Sequence, residues 1–303
     1  MKYTEFQVKE ILNDIILNVY RKNPLILSSL WDARGEREYI DFLYPQYEAI
    51  LLDFNELFSN DTPRRVLEIS AFLGVVDIAL AKMGFEVHTY DIPEFQNNPG
   101  LNHLYAEFNV HPSAGDVKDI WKNGLPYPDD HFDAVLISEV LEHLNFNPLP
   151  VFQEINRILK PDGILYITTP NQVSLVNRIA IILGRSIRNS LNDSLTQVDQ
   201  SKHAICGIHW REYTLKEIIE LLEITGFSIK KHSFSNDAKN LQVRKRFFLL
   251  IFSFICLFFP GSGNSITVIG KKKEYKPIKF WFHDEYIKYY PNRDTADPVR
   301  KNE

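Results

Sequence analysis

Cysteine is scarce: the 303 residues hold two, Cys206 and Cys256, far apart in the chain. They make no metal-type pair, which argues against a zinc ribbon or a disulfide scaffold and suggests a reducing compartment. Histidine and cysteine form no cluster at metal spacing either, so no metal is expected. There is no basic excess, 34 Lys and Arg standing against 39 Asp and Glu. The chain therefore has no general field to draw nucleic acid, and no nucleic-acid partner is expected. A long apolar run is also missing. The best candidate, Phe247 to Phe259, is thirteen residues, short of the roughly 20 that span a bilayer. With Arg244-Lys245-Arg246 before it and Lys271-Lys272-Lys273 after it, it reads as a peripheral membrane contact or as a core helix capped by Pro260-Gly261. The first residues start a polar helix pattern without a signal-peptide core. The expected location is cytoplasmic, with peripheral contact at the inner face of the membrane as a further expectation. Glycine is scarce as well, and one place makes that matter.

What is present is an ordinary globular composition, 45% hydrophobic and 24% charged, which excludes a disordered chain. Residues 1–60 read as a helical cap: Phe6, Ile11, Ile15, Ile16 and Val19 recur at helical spacing until Pro24. A second helical run covers about Glu36 to Phe58. From residue 61 to 170 short apolar runs alternate with helix patterns. The expected strands are Val66–Ile69, Glu86–Tyr90, His111–Ala114, Ala134–Ser138 and Ile164–Thr168, and the helices lie around Val75–Met83, Leu101–Phe108 and Leu149–Leu159. That alternation predicts an α/β fold with a doubly wound, mostly parallel sheet, its ligands outside the carboxyl ends of the strands. Residues 171–212 read as a lid or substrate insertion. Residues 213–270 complete the core: a helix opens on a Thr214/Glu217 capping box, and Phe227–His232 and Ser265–Ile269 form two antiparallel strands at the sheet edge. Residues 271–303 read as a charged tail.

The sheet is organised around Glu68-Ile69-Ser70-Ala71-Phe72-Leu73-Gly74, an apolar strand feeding a helix through a tight turn. Unpaired backbone N–H groups at such a turn form a natural nucleotide site. Three successive strand-type runs end in or near an acid, Glu68, Asp91 and Asp116, which places three carboxylates along one rim. Acids also cap helices. Three in consecutive strand-end positions favour a nucleoside ligand, Asp91 being placed to accept from ribose hydroxyls.

With these residues the sequence resembles class I S-adenosylmethionine-dependent methyltransferases. The family's acid-x-Gly-x-Gly-x-Gly loop keeps its acid, Glu68, and its last glycine, Gly74, while Ser70 and Phe72 replace the other two. The second-strand acid is Asp91, and the adenine-side acid is Asp116 in Gly115-Asp116-Val117. Leu125 to Leu144, ending in Ser138-Glu139-Val140-Leu141-Glu142-His143-Leu144, looks like the fourth-strand motif of small-molecule members, and Ile158 to Leu165 like the turn into the fifth strand. Thr168-Thr169-Pro170-Asn171 and His209 to Thr214 look like a subgroup associated with glycan or cell-surface biosynthesis.

The resemblance implies a seven-stranded Rossmann-like methyltransferase fold and S-adenosylmethionine as cofactor. It implies cofactor contacts at Glu68, Ser70, Gly74, Asp91, Ile92, Asp116, Val117, Ser138 and Glu139, and a small-molecule or glycan acceptor methylated on oxygen or nitrogen. The sulfonium activates its own methyl, so the enzyme mainly aligns the reactants and removes a proton. Candidate bases are His143 and His209, with His203 and Glu142 behind them. Arg178, Arg185 and Arg188 are candidate anion contacts or a solvated helix face. Phe72 either points away with ordinary dihedrals or fills space the methionine moiety would use. In the second case the chain is a degenerate relative acting as a binding or scaffold protein.

Overall fold

Five segments form parallel strands, β1 Arg65–Ile69, β2 Glu86–Asp91, β3 His111–Ala114, β4 Phe132–Ser138 and β5 Leu159–Pro170, of which the edge strand β3 is short and mostly exposed. Two more, β6 Phe227–Ser235 and β7 Ser265–Lys272, pair antiparallel, with β7 joined to β5. The sheet order is β3-β2-β1-β4-β5-β7-β6. The structure is a computed structural model that describes residues 2–23, 33–58, 64–190, 208–235, 261–275 and 277–278. Cys206, Cys256, His203, Pro24, the apolar run 247–259 and most of the stretch read as a tail lie outside the described residues.

The helices are α1 Glu5–Asp14, α2 Ala33–Leu57, α3 Val75–Lys82, α4 Pro93–Gln96, α5 Pro99–Phe108, α6 Ile120–Asn123, α7 Leu149–Ile158, α8 Leu175–Ile182 and α9 Leu215–Ile224. A π-type turn, Ile15–Tyr20, continues α1. Alternate residues of a strand point to opposite faces, so each central strand is apolar on both sides. Val66, Ala134, Leu136 and Tyr166 face α1, α2, α3 and α5 in one apolar layer. Leu67, Ile69, Val135, Ile137, Leu165 and Ile167 face α7 and α9 in the other. The N-terminal helices share their core with the sheet, their large side chains Tyr20, Phe54 and Leu12 being fully buried.

Local signals explain the ends. Thr4 with Gln7 and Thr214 with Glu217 each form a capping box, the second as the sequence predicts. At the edge, β7 runs two residues into the stretch read as a tail. Lys272 can be buried there because its ammonium donates to Asp130 Oδ1 at 2.8 Å and to the Leu159 carbonyl at 2.6 Å.

Candidate active site

The strand order reverses between β1 and β4, and a crevice opens there at the carboxyl ends of the strands. It holds a cavity of about 690 Å³, within the size range of small-ligand sites. Its walls come from the segments that follow β1, β2, β3 and β4, from Tyr39, Leu43 and Tyr47 of α2, and from Trp210. Glu68, Ser70, Gly74, Asp91, Ile92, Asp116, Val117, Ser138 and Glu139 all line this one cavity, and so does His143. His209 sits beside His143, the ring centroids 5.0 Å apart.

The loop after β1 keeps the backbone that the missing glycines would have supplied. Ser70 has φ +59, Phe72 φ +51 and Gly74 φ +68. A left-handed conformation is unfavourable for residues with a Cβ by about 1–2 kcal/mol each, so packing must hold it. Phe72 therefore corrects the expectation of ordinary dihedrals. Its ring packs edge-on against Tyr39 at 5.4 Å and Phe95 at 5.0 Å. Its N–H donates to Asp91 Oδ2 at 2.7 Å, and the Ser70 N–H donates to the Tyr90 carbonyl at 2.8 Å. Gly74 needs its φ and also needs to be bare: a Cβ there would stand 2.5 Å from the Tyr105 hydroxyl oxygen.

Beneath this loop lies a buried pair of acids. Asp77, the third residue of α3, is fully buried against Glu68, and burial pushes its carboxyl up to about 8. Burial and the Asp77 charge push Glu68 well above the carboxylate range. Near neutral pH the pair therefore retains protons. Glu68 Oε2 has no hydrogen-bond partner among the described residues, an orphaned acceptor that suits an ammonium or hydroxyl donor from a ligand. In the sequence the only sign of Asp77 is an acid inside an otherwise apolar helix pattern, Val75-Val76-Asp77-Ile78-Ala79-Leu80.

Asp91, at the end of β2, accepts from the N–H groups of Phe72 and Ile92, at 2.7 Å each. Burial raises its carboxyl to about 6 against the pull of those two bonds. Each oxygen retains a second lone pair for a ligand. Asp116 accepts from the Lys118 N–H at 2.9 Å and caps the short turn Val117–Asp119. The capping role considered for the acids thus applies to Asp116, on the cavity wall. Gly115 before it leaves room for the Tyr90 ring, which a Cβ would meet at 2.5 Å.

The end of β4 is clamped from α2. Gln46 Nε2 donates to Ser138 Oγ at 3.2 Å, Glu139 Oε1 at 2.9 Å and Thr168 Oγ1 at 2.6 Å. Gln46 follows Pro45 in mid-helix, a contact that spacing along the chain cannot reveal. Past β4, Glu142 is buried, with Oε2 accepting from Thr169 at 2.9 Å. The N–H of Trp210 donates to the Glu142 carbonyl at 2.8 Å, which folds the segment before α9 back onto the site. His143 donates its Nδ1–H to the Ile208 carbonyl at 2.9 Å, and burial lowers its pKa. His209 Nδ1 faces Glu212 Oε1 at 3.3 Å. Arg178 donates to the Val173 carbonyl at 2.7 Å. The sequence shows no metal cluster, yet the fold brings Glu142, His143 and His209 together, their ligand atoms within 4.8 Å of one another.

A family profile described as a methyltransferase domain matches residues 41–232, more than half of the chain. The chain belongs to this methyltransferase family. Membership of this family does not favour the degenerate-scaffold alternative. The ubiquinone biosynthesis O-methyltransferase of Haemophilus ducreyi is 28% identical over 156 residues, covering 51% of this chain and 64% of that one. That of Actinobacillus pleuropneumoniae is 25% identical over 173 residues, covering 56% and 72%. The chain thus spans less than two thirds of the Haemophilus relative. Among solved structures, a methyltransferase of Haloferax volcanii bound to its activator superposes with TM-score 0.51 at 16% identity, covering 80% of this chain and 93% of that one. An O-methyltransferase family protein of Burkholderia thailandensis gives 0.50 at 13%, covering 81% and 60%. These two likenesses concern the fold alone. No helix among the described residues is long and apolar enough to cross a membrane.

Proposed function

We propose that this methyltransferase moves the methyl group of S-adenosylmethionine to an oxygen of a small molecule. One observation carries the reading: a single cavity joins the acid rim of β1, β2 and β3 to His143 past β4, and His209 packs edge-on against that histidine. The O-methyltransferase names of the relatives support oxygen as the accepting atom. When bound, the cofactor supplies a methyl on a sulfonium, already activated for in-line displacement. The protein aligns the reactants and removes the hydroxyl proton. In this reading Asp91 takes the ribose hydroxyls, Glu68 the ammonium group, and Asp116 with Val117 the adenine, while Ser70, Gly74, Ile92, Ser138 and Glu139 shape the rest of the bed. His143 and His209 serve the acceptor. The Nδ1–H bond to Ile208 leaves Nε2 of His143 as the acceptor atom, and the lowered pKa keeps the ring neutral near pH 7.

The test pairs calorimetry with S-adenosylhomocysteine and a transfer assay over a panel of phenols, catechols and glycan precursors. His143→Ala is expected to bind S-adenosylhomocysteine like wild type and to transfer at least about 100-fold more slowly. No binding at millimolar ligand would remove the proposal.

The segment 171–212 serves, in the same reading, as the acceptor-side lid, with Trp210 already on the cavity wall. A cytoplasmic enzyme with peripheral membrane contact is supported by the basic flanks of 247–259. It is also supported by α8, whose Val176, Ile179 and Ile182 are exposed, Ile182 at 81%, beside Arg178. Co-sedimentation with anionic vesicles is expected to fall for Ile182→Asp; an unchanged bound fraction would count against it.

A further inference from the structure

We propose that Gln46 is a positioning residue of the cofactor site. Through Thr168 it turns the Ser138 hydroxyl into a hydrogen-bond donor toward the cavity, where that hydroxyl holds the carboxylate of the cofactor's amino-acid end. The order of donors stands on geometry alone; the identity of the ligand group rests on the methyltransferase reading above.

Three acceptors surround one amide nitrogen. Gln46 Nε2 stands 2.6 Å from Thr168 Oγ1, 2.9 Å from Glu139 Oε1 and 3.2 Å from Ser138 Oγ. An amide nitrogen carries two protons and accepts none, so the two shorter contacts take them. The Glu139 carboxylate, which only accepts, requires nitrogen rather than oxygen at this corner. Thr168 is therefore an acceptor toward Gln46. Its own proton needs a partner, because Thr168 is 2% exposed and a buried donor left unpaired is costly. The partner in reach is Ser138 Oγ at 2.9 Å. The bonds thus run in one direction, from Gln46 to Thr168 to Ser138. The Ser138 proton remains for the cavity that this residue lines.

The backbone holds this relay still. Glu139 has φ +55, and its N–H donates to the Thr168 carbonyl at 3.0 Å. Ser138 and Thr168 are paired in the register of β4 and β5. Gln46 comes from α2, whose Leu43 and Tyr47 also line the cavity. An N-terminal helix thereby sets the polarity of a group on the sheet.

Strand order decides which ligand group meets Ser138. Asp116 follows β3, Asp91 ends β2 and Glu68 lies on β1, and in the reading above they take adenine, ribose and ammonium. The next strand in that row is β4, and Ser138 is its last residue. The carboxylate, on the same carbon as the ammonium, falls beside it. Positive charge is scarce there. Among the described residues, Glu68, Asp91, Glu94, Asp116 and Glu139 line the cavity against Lys118 and His143. Lys118 is paired with Asp116 at 2.6 Å, and His143 gives its Nδ1–H to Ile208. An oriented neutral O–H binds a carboxylate without a cation, through a charge-assisted hydrogen bond.

Calorimetry on the full chain at pH 8 compares S-adenosylhomocysteine with its analogue in which hydrogen replaces the carboxylate. Ser138→Ala is expected to weaken S-adenosylhomocysteine about tenfold or more, and the analogue less than about twofold. Gln46→Glu keeps the shape and reverses the relay: the new carboxylate accepts from Thr168, Thr168 accepts from Ser138, and Ser138 lone pairs face the ligand. Its loss is expected to be at least as large and again confined to the ligand that carries the carboxylate. Gln46→Leu leaves the Ser138 proton free to turn to Thr168 and is expected to cost about threefold. Melting temperatures report the fold of each variant. Unchanged S-adenosylhomocysteine affinity in Ser138→Ala would overturn the assignment of the donor. Equal losses for both ligands in Gln46→Glu would overturn the positioning role, and so, if that variant does not fold, would wild-type affinity in Gln46→Leu. Wild type that binds neither ligand would remove the methyltransferase reading itself.

Discussion

The N–H of Phe72 donates to Oδ2 of Asp91 at 2.7 Å, tying the loop after the first strand to the end of the second. Because Phe72 already holds φ +51, a glycine there changes the conformational preference but not the path of the chain. Phe72→Gly should lose two edge-on aromatic contacts, worth about 0.5–1.5 kcal/mol each, and relieve about 1 kcal/mol of left-handed strain. The expected outcome is a lower melting temperature and no gain in S-adenosylhomocysteine affinity by calorimetry. A large gain would mean that the ring obstructs the ligand.

Asp91 carries a second prediction through its raised pKa of about 6. Below that value the carboxyl is protonated in the free protein and loses acceptor capacity. Above it the anion is ready for hydroxyl donors. Affinity for S-adenosylhomocysteine should therefore be flat above pH 7 and fall by about tenfold at pH 5, as one proton with that pKa requires. Asp91→Asn should bind more weakly at pH 7.5 and lose this pH dependence.

Asp77 makes the fold itself sensitive to pH. Its folded pKa of about 8 lies above the unfolded value of 3.8. Between those values the folded state holds more protons than the unfolded one, so this group's contribution falls as pH rises from about 4 to 8. Fully buried, it is worth on the order of several kcal/mol across that window. Asp77→Asn should raise the melting temperature at pH 8 more than at pH 5. Equal shifts at both pH values would show that the buried pair does not titrate there.

Gly74 is constrained twice, by φ +68 and by Tyr105, whose hydroxyl oxygen a Cβ would approach to 2.5 Å. Gly74→Ala should destabilise the protein by about 2 kcal/mol or more, read as a shift in urea midpoint at unchanged slope. Tyr105→Phe on that background should recover part of the loss by removing the nearest atom.

How much of this was legible without coordinates follows from the range of each signal. The alternation of apolar strands with helix patterns is local, so strands, parallel order and the Thr214/Glu217 cap could all be read along the chain. The acid rim was legible too, because Glu68, Asp91 and Asp116 sit at the strand ends, and strand ends of a parallel sheet share one edge. The loop was misjudged because sequence shows residue types and not dihedrals. Ser70 and Phe72 replace glycines, yet neighbouring packing and backbone bonds hold them in left-handed conformations.

Contacts between residues far apart in the chain came only with folding. Gln46 reaches the ends of β4 and β5, ninety-two residues away at Ser138. His209 comes to His143 because the Trp210 amide finds the Glu142 carbonyl. Asp77 meets Glu68 because α3 turns back over its own strand. The sheet, its cavity-bearing edge and the family follow from local patterns and motifs in the sequence. The shape of the loop, the pairing of buried acids beneath it and the meeting of Glu142 with two histidines came from folding, since each depends on side chains that no local spacing brings together.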